Sequence, residues 1–291
     1  MEIGFIGLGK MGRAMAIRLM DRGHRVVVYD ISSVVVASMV KRGLEGAKDY
    51  KTTVEKINSP RNIWLMIPAG KIVDDVIFDS LLPYLTEGDL LIDGGNSYYK
   101  DSVRRANKLA KRKIGFVDVG TSGGIAGVNN GLSLMVGGSK DDFLRIEPIL
   151  KDLAAENGYS LMGNNGAGHF VKMVHNGIEY ALLQSYAEGF ELLKEGPFKL
   201  DLGAIARVWN NGSIVRSWLL ELTQAILEKN ELNGINAEVG GGQTGRWAAE
   251  AALESEVPFT MLGAALSERY RSRRESFAAR LVAALRLRFG G

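Results

Sequence analysis

The chain of 291 residues contains no cysteine and only three histidines. The absence of cysteine excludes disulfides and thiolate metal ligands. Three histidines are too few for us to expect a zinc site. No apolar run reaches the roughly 18–20 residues of a membrane-spanning helix. The N-terminus has no basic stretch of the kind that opens a signal peptide. We therefore expect a cytoplasmic protein that holds no metal and does not associate with a membrane.

The chain also has little net charge, +3 at neutral pH. A charge this small does not predict nucleic-acid binding, and the basic residues lack interleaved aromatic residues. Apolar residues are plentiful at 46% of the chain, which is ordinary for a globular protein. The length is enough for about two domains.

Short apolar runs alternate with helical patterns over the first half of the chain, at residues 3–6, 25–29, 62–67, 90–92 and 115–119. Such alternation predicts an α/β fold, a Rossmann-like doubly wound and mainly parallel sheet. Residues 132–136 and 160–162 could extend that sheet. From His169 onward the pattern is almost wholly helical, so we predict a dinucleotide-binding domain at 1–163 and an all-helical domain at 164–291.

A Gly-x-Gly-x-x-Gly motif follows the first predicted strand and opens a helix. Its first glycine permits a tight turn, its second lets a pyrophosphate approach the backbone, and its third lets helix and strand pack closely. The helix N-terminus adds N–H donors for the phosphates. The predicted cofactor-binding residues are Gly7, Leu8, Gly9, Lys10, Met11 and Gly12.

Asp30 ends the second predicted strand, about 20 residues beyond this motif, where a partner of the ribose hydroxyls is expected. A carboxylate would repel a 2′-phosphate, and the next three residues include no arginine. NAD is therefore favoured, with NADP as the alternative. Asp30 could instead only cap the next helix, and Lys41 or Arg42 could approach it from elsewhere.

A predicted helix carries a stripe of polar side chains at Lys172, His175, Asn176, Glu179 and Tyr180. The spacing i, i+3, i+4, i+7 and i+8 places them on one face. The other positions are mostly apolar, which predicts a helix buried around most of its circumference. Burial of a polar stripe is costly unless its groups are paired or used. The alternative is a solvated face with Lys–Glu pairs.

Two glycine-containing loops, residues 93–97 and 120–124, each follow an apolar strand. Open α/β sheets bind their ligands at the carboxyl ends of strands. Backbone N–H groups at these glycines could meet a carboxylate or hydroxyl. Each loop could also be an ordinary turn.

Taken together, these stretches resemble the 6-phosphogluconate dehydrogenases, a branch of the β-hydroxyacid dehydrogenases. The similar motifs are, in chain order, GLGKMG, IDGGNS, SGG, GAGHFVKMVHNGIEY, GGQTGRW and ALRLRFGG. HNGIEY is the most specific, because the sister hydroxyacid dehydrogenases differ after their catalytic lysine. The resemblance covers essentially the whole chain and fits the family's short form. It implies oxidative decarboxylation of 6-phosphogluconate to ribulose 5-phosphate and CO2, and assembly into a homodimer or homotetramer.

The resemblance also implies roles for individual residues. Lys172 would be the general base for the C3 hydroxyl of the substrate, and Glu179 would protonate C1 of the enediol. Asn96 would contact both cofactor and substrate. The other substrate-binding residues would be Ser122, Gly123, Gly124, His175 and Asn176 for the sugar acid, and Tyr180, Arg246, Arg269 and, from a neighbouring subunit, Arg286 for the phosphate.

Three features depart from the family pattern. Arg246 stands where many members have lysine, and its planar fork differs in geometry from an ammonium. Ile125 follows the SGG motif where long forms often have glutamate. The sequence stops at Gly291, where the family often continues to a histidine, so we expect the half-site shared between subunits to be incomplete or its last residues to be absent.

Two other functions are weighed against this one. Another β-hydroxyacid dehydrogenase, such as a 3-hydroxyisobutyrate-type enzyme, would not need the arginines at 246, 269 and 286 or the HNGIEY stretch. A non-catalytic dinucleotide-binding sensor is compatible with the fold. A sensor, however, needs neither the base Lys172 nor the acid Glu179.

Overall fold

The computed structural model describes residues 1–229, 231–232, 235 and 237–274. The chain divides into two compact units, Met1–Val174 and His175–Gly291. This division falls inside a long helix, later than the predicted boundary between residues 163 and 164. The predicted boundary coincides with the end of the last strand.

The first unit is built on an eight-stranded sheet in the order β3-β2-β1-β4-β5-β6-β7-β8. Neighbouring strands pair in parallel except β6 and β7, which are antiparallel. The predicted fold class is confirmed, and β3 is a strand that the sequence did not indicate. The strands are β1 (Glu2–Ile6), β2 (Arg25–Tyr29), β3 (Glu45–Gly46), β4 (Asn62–Leu65), β5 (Leu90–Asp93), β6 (Gly115–Ser122), β7 (Leu132–Gly137) and β8 (Ala154–Gly163).

Helices cover the sheet and bury apolar side chains against it. In β4, Trp64 belongs to one apolar cluster, whereas Ile63 and Leu65 belong to another. Successive strand residues point to opposite faces, so this alternation supplies two core layers. The helices of this unit are α1 (Lys10–Asp21), α2 (Ser33–Val40), α3 (Tyr50–Glu55), α4 (Lys71–Asp74) with further helical turns to Tyr84, α5 (Tyr99–Ala110), α6 (Gly124–Asn130) and α7 (Lys140–Leu153).

The long helix α8 (Ala167–Glu195) starts in the first unit and continues into the second. The described part of the second unit is helical, as the sequence predicts, with a small core around Phe190, Ala206 and Leu220. In the described ranges, no helix is long and apolar enough to cross a membrane. The remaining helices are α9 (Leu202–Asn210), α10 (Trp218–Glu228), α11 (Gln243–Glu254) and α12 (Thr260–Arg271).

Candidate dinucleotide and substrate sites

The glycine motif between β1 and α1 has the geometry that its sequence predicts. Gly7 has a φ of +96°, a conformation that L side chains rarely adopt. A side chain at Gly12 would collide with the carbonyl of Gly7, so this glycine permits close packing of the turn on the helix. At Gly9 a Cβ would meet no described atom within 4 Å. The backbone at Gly9 is therefore open to the approach of a ligand.

Asp30 joins this glycine turn to the loop after β2. Its Oδ2 accepts from the backbone N–H of Leu8 at 2.7 Å, and its Oδ1 accepts from that of Ser32 at 2.9 Å. Among the described residues, the N-cap of α2, Ser32, makes no side-chain capping bond. The carboxylate therefore stabilises the turn, and each oxygen keeps a lone pair for a further donor.

A cleft of about 630 Å³ lies beside Asp30, between α2 and β3. Tyr29, Lys41 and Lys48 also line it. Arg42 lines a different cleft, together with Arg18 and Arg22. Of the two basic residues that the sequence offered as neighbours of Asp30, only Lys41 is therefore on the same cleft.

The loop after β5 is organised by the buried carboxylate of Asp93. This carboxylate accepts from Ser97 Oγ at 2.8 Å and from the Gly95 N–H at 3.2 Å. Arg105, which is also fully buried, lies 3.4 Å from it. Asn96, between these anchored residues, is exposed. The loop thus presents Asn96 to solvent at the carboxyl end of a central strand.

A second buried carboxylate, Asp118 on β6, fastens the start of α8 to the sheet. It accepts from the backbone N–H groups of Gly166 at 2.5 Å and His169 at 2.8 Å. Burial raises the pKa of Asp118, and the nearby carboxylate of Asp93 raises it further. The His169 imidazole and the two N–H donors lower this pKa, but the net shift is upward. The imidazole of His169 is bonded through Nδ1 to Ser102 Oγ of α5, at 2.7 Å. The first turn of α8 is therefore tied to both β6 and α5.

Lys172 follows one turn later on α8 and is only 5% exposed. A Cβ at Gly120 of β6 would overlap the Cβ of Lys172. The stem of the lysine therefore packs directly on the strand backbone. Ser122 ends β6 on the same strand, and Gly123 and Gly124 follow with φ of +118° and +59° at the start of α6.

In the second unit, the polar stripe of α8 is connected to α11 by Thr244. The Thr244 Oγ1 accepts from Asn176 Nδ2 at 3.1 Å and lies 3.2 Å from the Tyr180 hydroxyl. His175 Nδ1 is 3.1 Å from Asn176 Oδ1 and 3.8 Å from Glu179 Oε2. Four of the predicted residues on α8 and one residue of α11 that was not predicted thus form a continuous polar group.

The predicted phosphate-binding arginines are placed differently from one another. The guanidinium of Arg269 lies 3.9 Å from the centre of the Tyr180 ring and donates to Gly240 O at 2.8 Å. Arg246 is exposed and lies 3.4 Å from Glu250. Arg286 lies outside the described residues. The structure therefore brings Arg269 and Tyr180 together.

The expected burial of the apolar side of α8 is only partly observed. Lys172 and Asn176 of the stripe are buried, whereas Ile178, Leu182 and Leu183 are between 40% and 50% exposed. The predicted burial of α8 around most of its circumference is therefore wrong at Ile178 and Leu182, and Leu183 beside them is also exposed.

The sequence analysis did not assign roles to five residues that hold these sites in place. Asp93 ends an apolar strand and Asp118 interrupts another, which is a signal because an unpaired buried carboxylate is costly. Thr244 lies inside the quoted GGQTGRW motif, but its own role was not assigned. Arg105 and Ser102 lie on the buried face of α5, and no pattern in that polar segment separates them from their exposed neighbours.

Two family models match this chain. The NAD binding domain of 6-phosphogluconate dehydrogenase matches residues 2–177, and the C-terminal domain of 6-phosphogluconate dehydrogenase matches residues 168–287. A Haloferax volcanii protein named 6-phosphogluconate dehydrogenase, NAD(+)-dependent, decarboxylating, is 45% identical over 294 residues, covering 100% of this chain and 97% of that protein. A Bacillus subtilis protein of the same name is 39% identical over 289 residues, covering 93% of this chain and 61% of that one.

Solved structures give a consistent result. Plasmodium falciparum 6-phosphogluconate dehydrogenase, known in apo form and with NADP+ or 6-phosphogluconate, has a TM-score of 0.88 at 31% identity and covers 100% of this chain. This chain spans 65% of that one. A 3-hydroxyisobutyrate dehydrogenase from Salmonella typhimurium has a TM-score of 0.78 at 19% identity, with 93% of both chains covered, which shows a shared fold. The matched NAD-binding domain and the full-length relative at 45% identity establish that this chain belongs to the 6-phosphogluconate dehydrogenase family.

Proposed function

We propose that the protein oxidises and decarboxylates 6-phosphogluconate to ribulose 5-phosphate and CO2. The observation that carries this proposal is Lys172, buried against Gly120 in a chain of the 6-phosphogluconate dehydrogenase family. A lysine in its neutral form can act as a base. An ammonium in the same place stabilises negative charge that develops on an adjacent oxygen.

Lys172 and Glu179 divide the proton transfers in this proposal. The nicotinamide cofactor supplies the hydride acceptor when it is bound. Lys172 takes the proton of the C3 hydroxyl as C3 is oxidised. The resulting ammonium stabilises the enolate oxygen as CO2 leaves and returns the proton to it, which gives the enediol. Glu179 then delivers a proton to C1 of the enediol. The polar group around His175 and Asn176 supports this role for Glu179, because His175 lies within 3.8 Å of its carboxylate.

The sugar acid is held by backbone and side-chain donors at strand ends and on α8. Its phosphate is held by Tyr180 and Arg269, which already stack on each other, and by Arg246. Arg286 of a neighbouring subunit completes this anion site in the proposal. Arginine suits phosphate because its donors form a planar fork. The remaining contacts are assigned to Asn96, Ser122, Gly123, Gly124, His175 and Asn176.

NAD is the preferred cofactor in this proposal. The residues present fit a dinucleotide, because the backbone at Gly9 is open and the Asp30 carboxylate keeps free lone pairs. A 2′-phosphate would meet that carboxylate, on a cleft that Lys41 and Lys48 also line. We expect a higher kcat/KM with NAD than with NADP. Asp30→Ala should narrow the difference, and a wild-type preference for NADP would contradict this assignment.

The decisive experiment is an assay of the purified chain with 6-phosphogluconate and each dinucleotide. Reduced cofactor, ribulose 5-phosphate and CO2 should appear in equal amounts. 3-Hydroxyisobutyrate is the matched control, since enzymes that act on it share the fold. Turnover of that acid but not of 6-phosphogluconate would overturn the proposal.

Assembly into a homodimer or homotetramer is also part of the proposal. The exposed apolar residues of α8, including Leu182 and the 74%-exposed Leu192, support it, because large apolar patches on a free surface are uncommon. A cytoplasmic location stays a prediction.

A further inference from the structure

Arg105 is a fully buried cation whose contacts lead to two loops of the first unit. It lies on α5 and is 0% exposed. Its Nη2 donates to the carbonyl of Gly70 at 3.0 Å, and its Nε donates to Asp74 Oδ1 at 2.9 Å. Its Nη1 lies 3.4 Å from Asp93 Oδ2. One planar group therefore uses three nitrogens in three directions.

The partners of this guanidinium belong to loops that follow adjacent strands. Gly70 follows β4 and has a φ of +104°, and Asp93 ends β5 and anchors the loop that carries Asn96. A Cβ at Gly95 would come within 2.8 Å of the carbonyl of Ile67, so the two loops also touch directly. Both loops lie at the carboxyl edge of the sheet, where ligands of open α/β folds bind.

The cost of burying a guanidinium argues for a role in geometry. A buried ion pair adds little net stability compared with apolar residues of the same volume, because desolvation offsets the attraction. A rigid fork, however, fixes the angle and distance between its partners, which a flexible ammonium cannot do. Arg105 is thus suited to setting one loop relative to the other.

We propose that Arg105 is a positioning residue that places Asn96 relative to the loop after β4. This inference rests on the proposed function, because it takes Asn96 as a contact of substrate and cofactor. Arg105 acts through the chain Arg105–Asp93–loop, in which Asp93 holds Gly95 and Ser97 on either side of Asn96. Arg105 should therefore affect catalysis only through the position of Asn96.

The neighbouring Arg104 provides a matched control. It also pairs with Asp74, at 2.7 Å, and with Asp101, at 3.0 Å. Within the ranges that the structure describes, it forms no hydrogen bond or ion pair with Gly70 or Asp93. Its side chain is 39% exposed. A substitution at Arg104 therefore perturbs the same acidic residue without reaching the two loops.

The test is a double-mutant cycle between Arg105→Lys and Asn96→Ala, with Arg104→Lys treated in the same way. The lysine keeps the charge but loses the fork, and a small displacement of a binding group lowers kcat/KM by about tenfold or more. In the Asn96→Ala background the same substitution should cost less than about threefold, since residues that act as a unit are not additive. Arg104→Lys should change kcat/KM by less than about twofold in either background.

Several results would overturn the inference. These are additive effects of Arg105→Lys and Asn96→Ala, a loss at Arg104→Lys equal to that at Arg105→Lys, or an Arg105→Lys variant that does not fold. The last result would mean that the residue serves the stability of the unit. Turnover of 6-phosphogluconate by the wild type tests the proposed function separately. Titration calorimetry of NAD binding to the same variants measures the coupling between Arg105 and Asn96 independently of the catalysed reaction.

Discussion

The position of Lys172 depends on the absence of a side chain at Gly120. A methyl group there would overlap the lysine Cβ and press on the carbonyl of Gly168. Because protein interiors are close-packed and have little free volume, the helix or the strand would have to shift. The residue that would act as the base and the residue that makes room for it lie on different elements, far apart in sequence.

We therefore expect Gly120→Ala to impair both stability and activity. Overpacking of this kind costs about 1–3 kcal/mol, and a displaced base lowers kcat by about 10²-fold. Thermal unfolding and steady-state kinetics measure the two effects. Gly263→Ala on α12 is the control, since a Cβ there would meet no described atom within 4 Å. Normal kcat in Gly120→Ala would show that Lys172 does not need this contact.

Lys172→Met and Glu179→Gln should separate the two proton transfers. The methionine retains an apolar stem in the buried site but removes the base, so we expect oxidation to fall by at least about 10²–10⁴-fold. NAD binding should persist, because the glycine motif and Asp30 are intact. Glu179→Gln should slow tritium exchange at C1 of ribulose 5-phosphate. Near-normal turnover of Lys172→Met, or unchanged exchange in Glu179→Gln, would contradict the assigned roles.

A short local pattern predicts where some of these residues lie. Motif spacing places Gly7, Gly9 and Gly12 at the turn between β1 and α1, and the polar stripe places Lys172 on α8, while their roles stay predictions. Arg105 could not be predicted, because its burial depends on which face of α5 meets the sheet. Thr244 could not be assigned, because its partners on α8 are more than sixty residues away.

At the scale of elements, α5 and α8 are joined by polar groups on buried faces. Ser102 and Arg105 lie on the inner face of α5, the first bonded to His169 of α8 and the second to Asp93. Asp118 then holds the first turn of α8 on β6. Apart from β3, strand positions were predictable from apolar runs. The reversed direction of β7 and β8 was not, since strand direction is set by the connections and partners of a strand.

Asp118→Asn should destabilise the first unit. The carboxylate uses its two oxygens for two backbone N–H groups, whereas an asparagine offers one oxygen and sets its own N–H2 against the other donor. The unsatisfied donor costs about 1–3 kcal/mol. Urea unfolding measures this loss. Ser102→Ala, which removes the hydroxyl bonded to His169 and to the carbonyl of Tyr98, should cost less, about 0.5–1.5 kcal/mol. A larger loss for Ser102→Ala than for Asp118→Asn would contradict this ranking.

At the scale of the whole molecule, the sequence did not predict that apolar residues of α8 are exposed. Periodicity predicts which helix face is apolar, but it does not say whether that face is covered by the same chain. Ile178, Leu182 and Leu183 leave a substantial part of their surface in solvent. The two-unit organisation and the helical second half were predictable, because the change in pattern extends over more than a hundred residues.

We expect the protein to sediment as a homodimer or homotetramer in analytical ultracentrifugation. Leu192→Glu, which places a charge on the exposed apolar side of α8, should shift it towards the monomer. Deletion from Ser276 onward, which removes Arg286, should raise the KM for 6-phosphogluconate more than the KM for NAD. A fully active monomer would contradict both the assembly and the role of Arg286.

The contact between α8 and β6 has a further consequence for how the chain can change in length. Lys172 lies four positions after Gly168 on α8, and Gly120 lies two positions after Asp118 on β6. At about 1.5 Å per helical residue and about 3.3 Å per strand residue, both elements advance by roughly 6–7 Å. Four helical residues and two strand residues therefore cover nearly the same distance along this contact. One inserted residue would turn Lys172 by about 100° on the helix, or would move Gly120 to the other face of the sheet. We therefore expect an insertion or deletion within residues 118–120 or 168–172 to break this contact, whatever the composition of the loops around them.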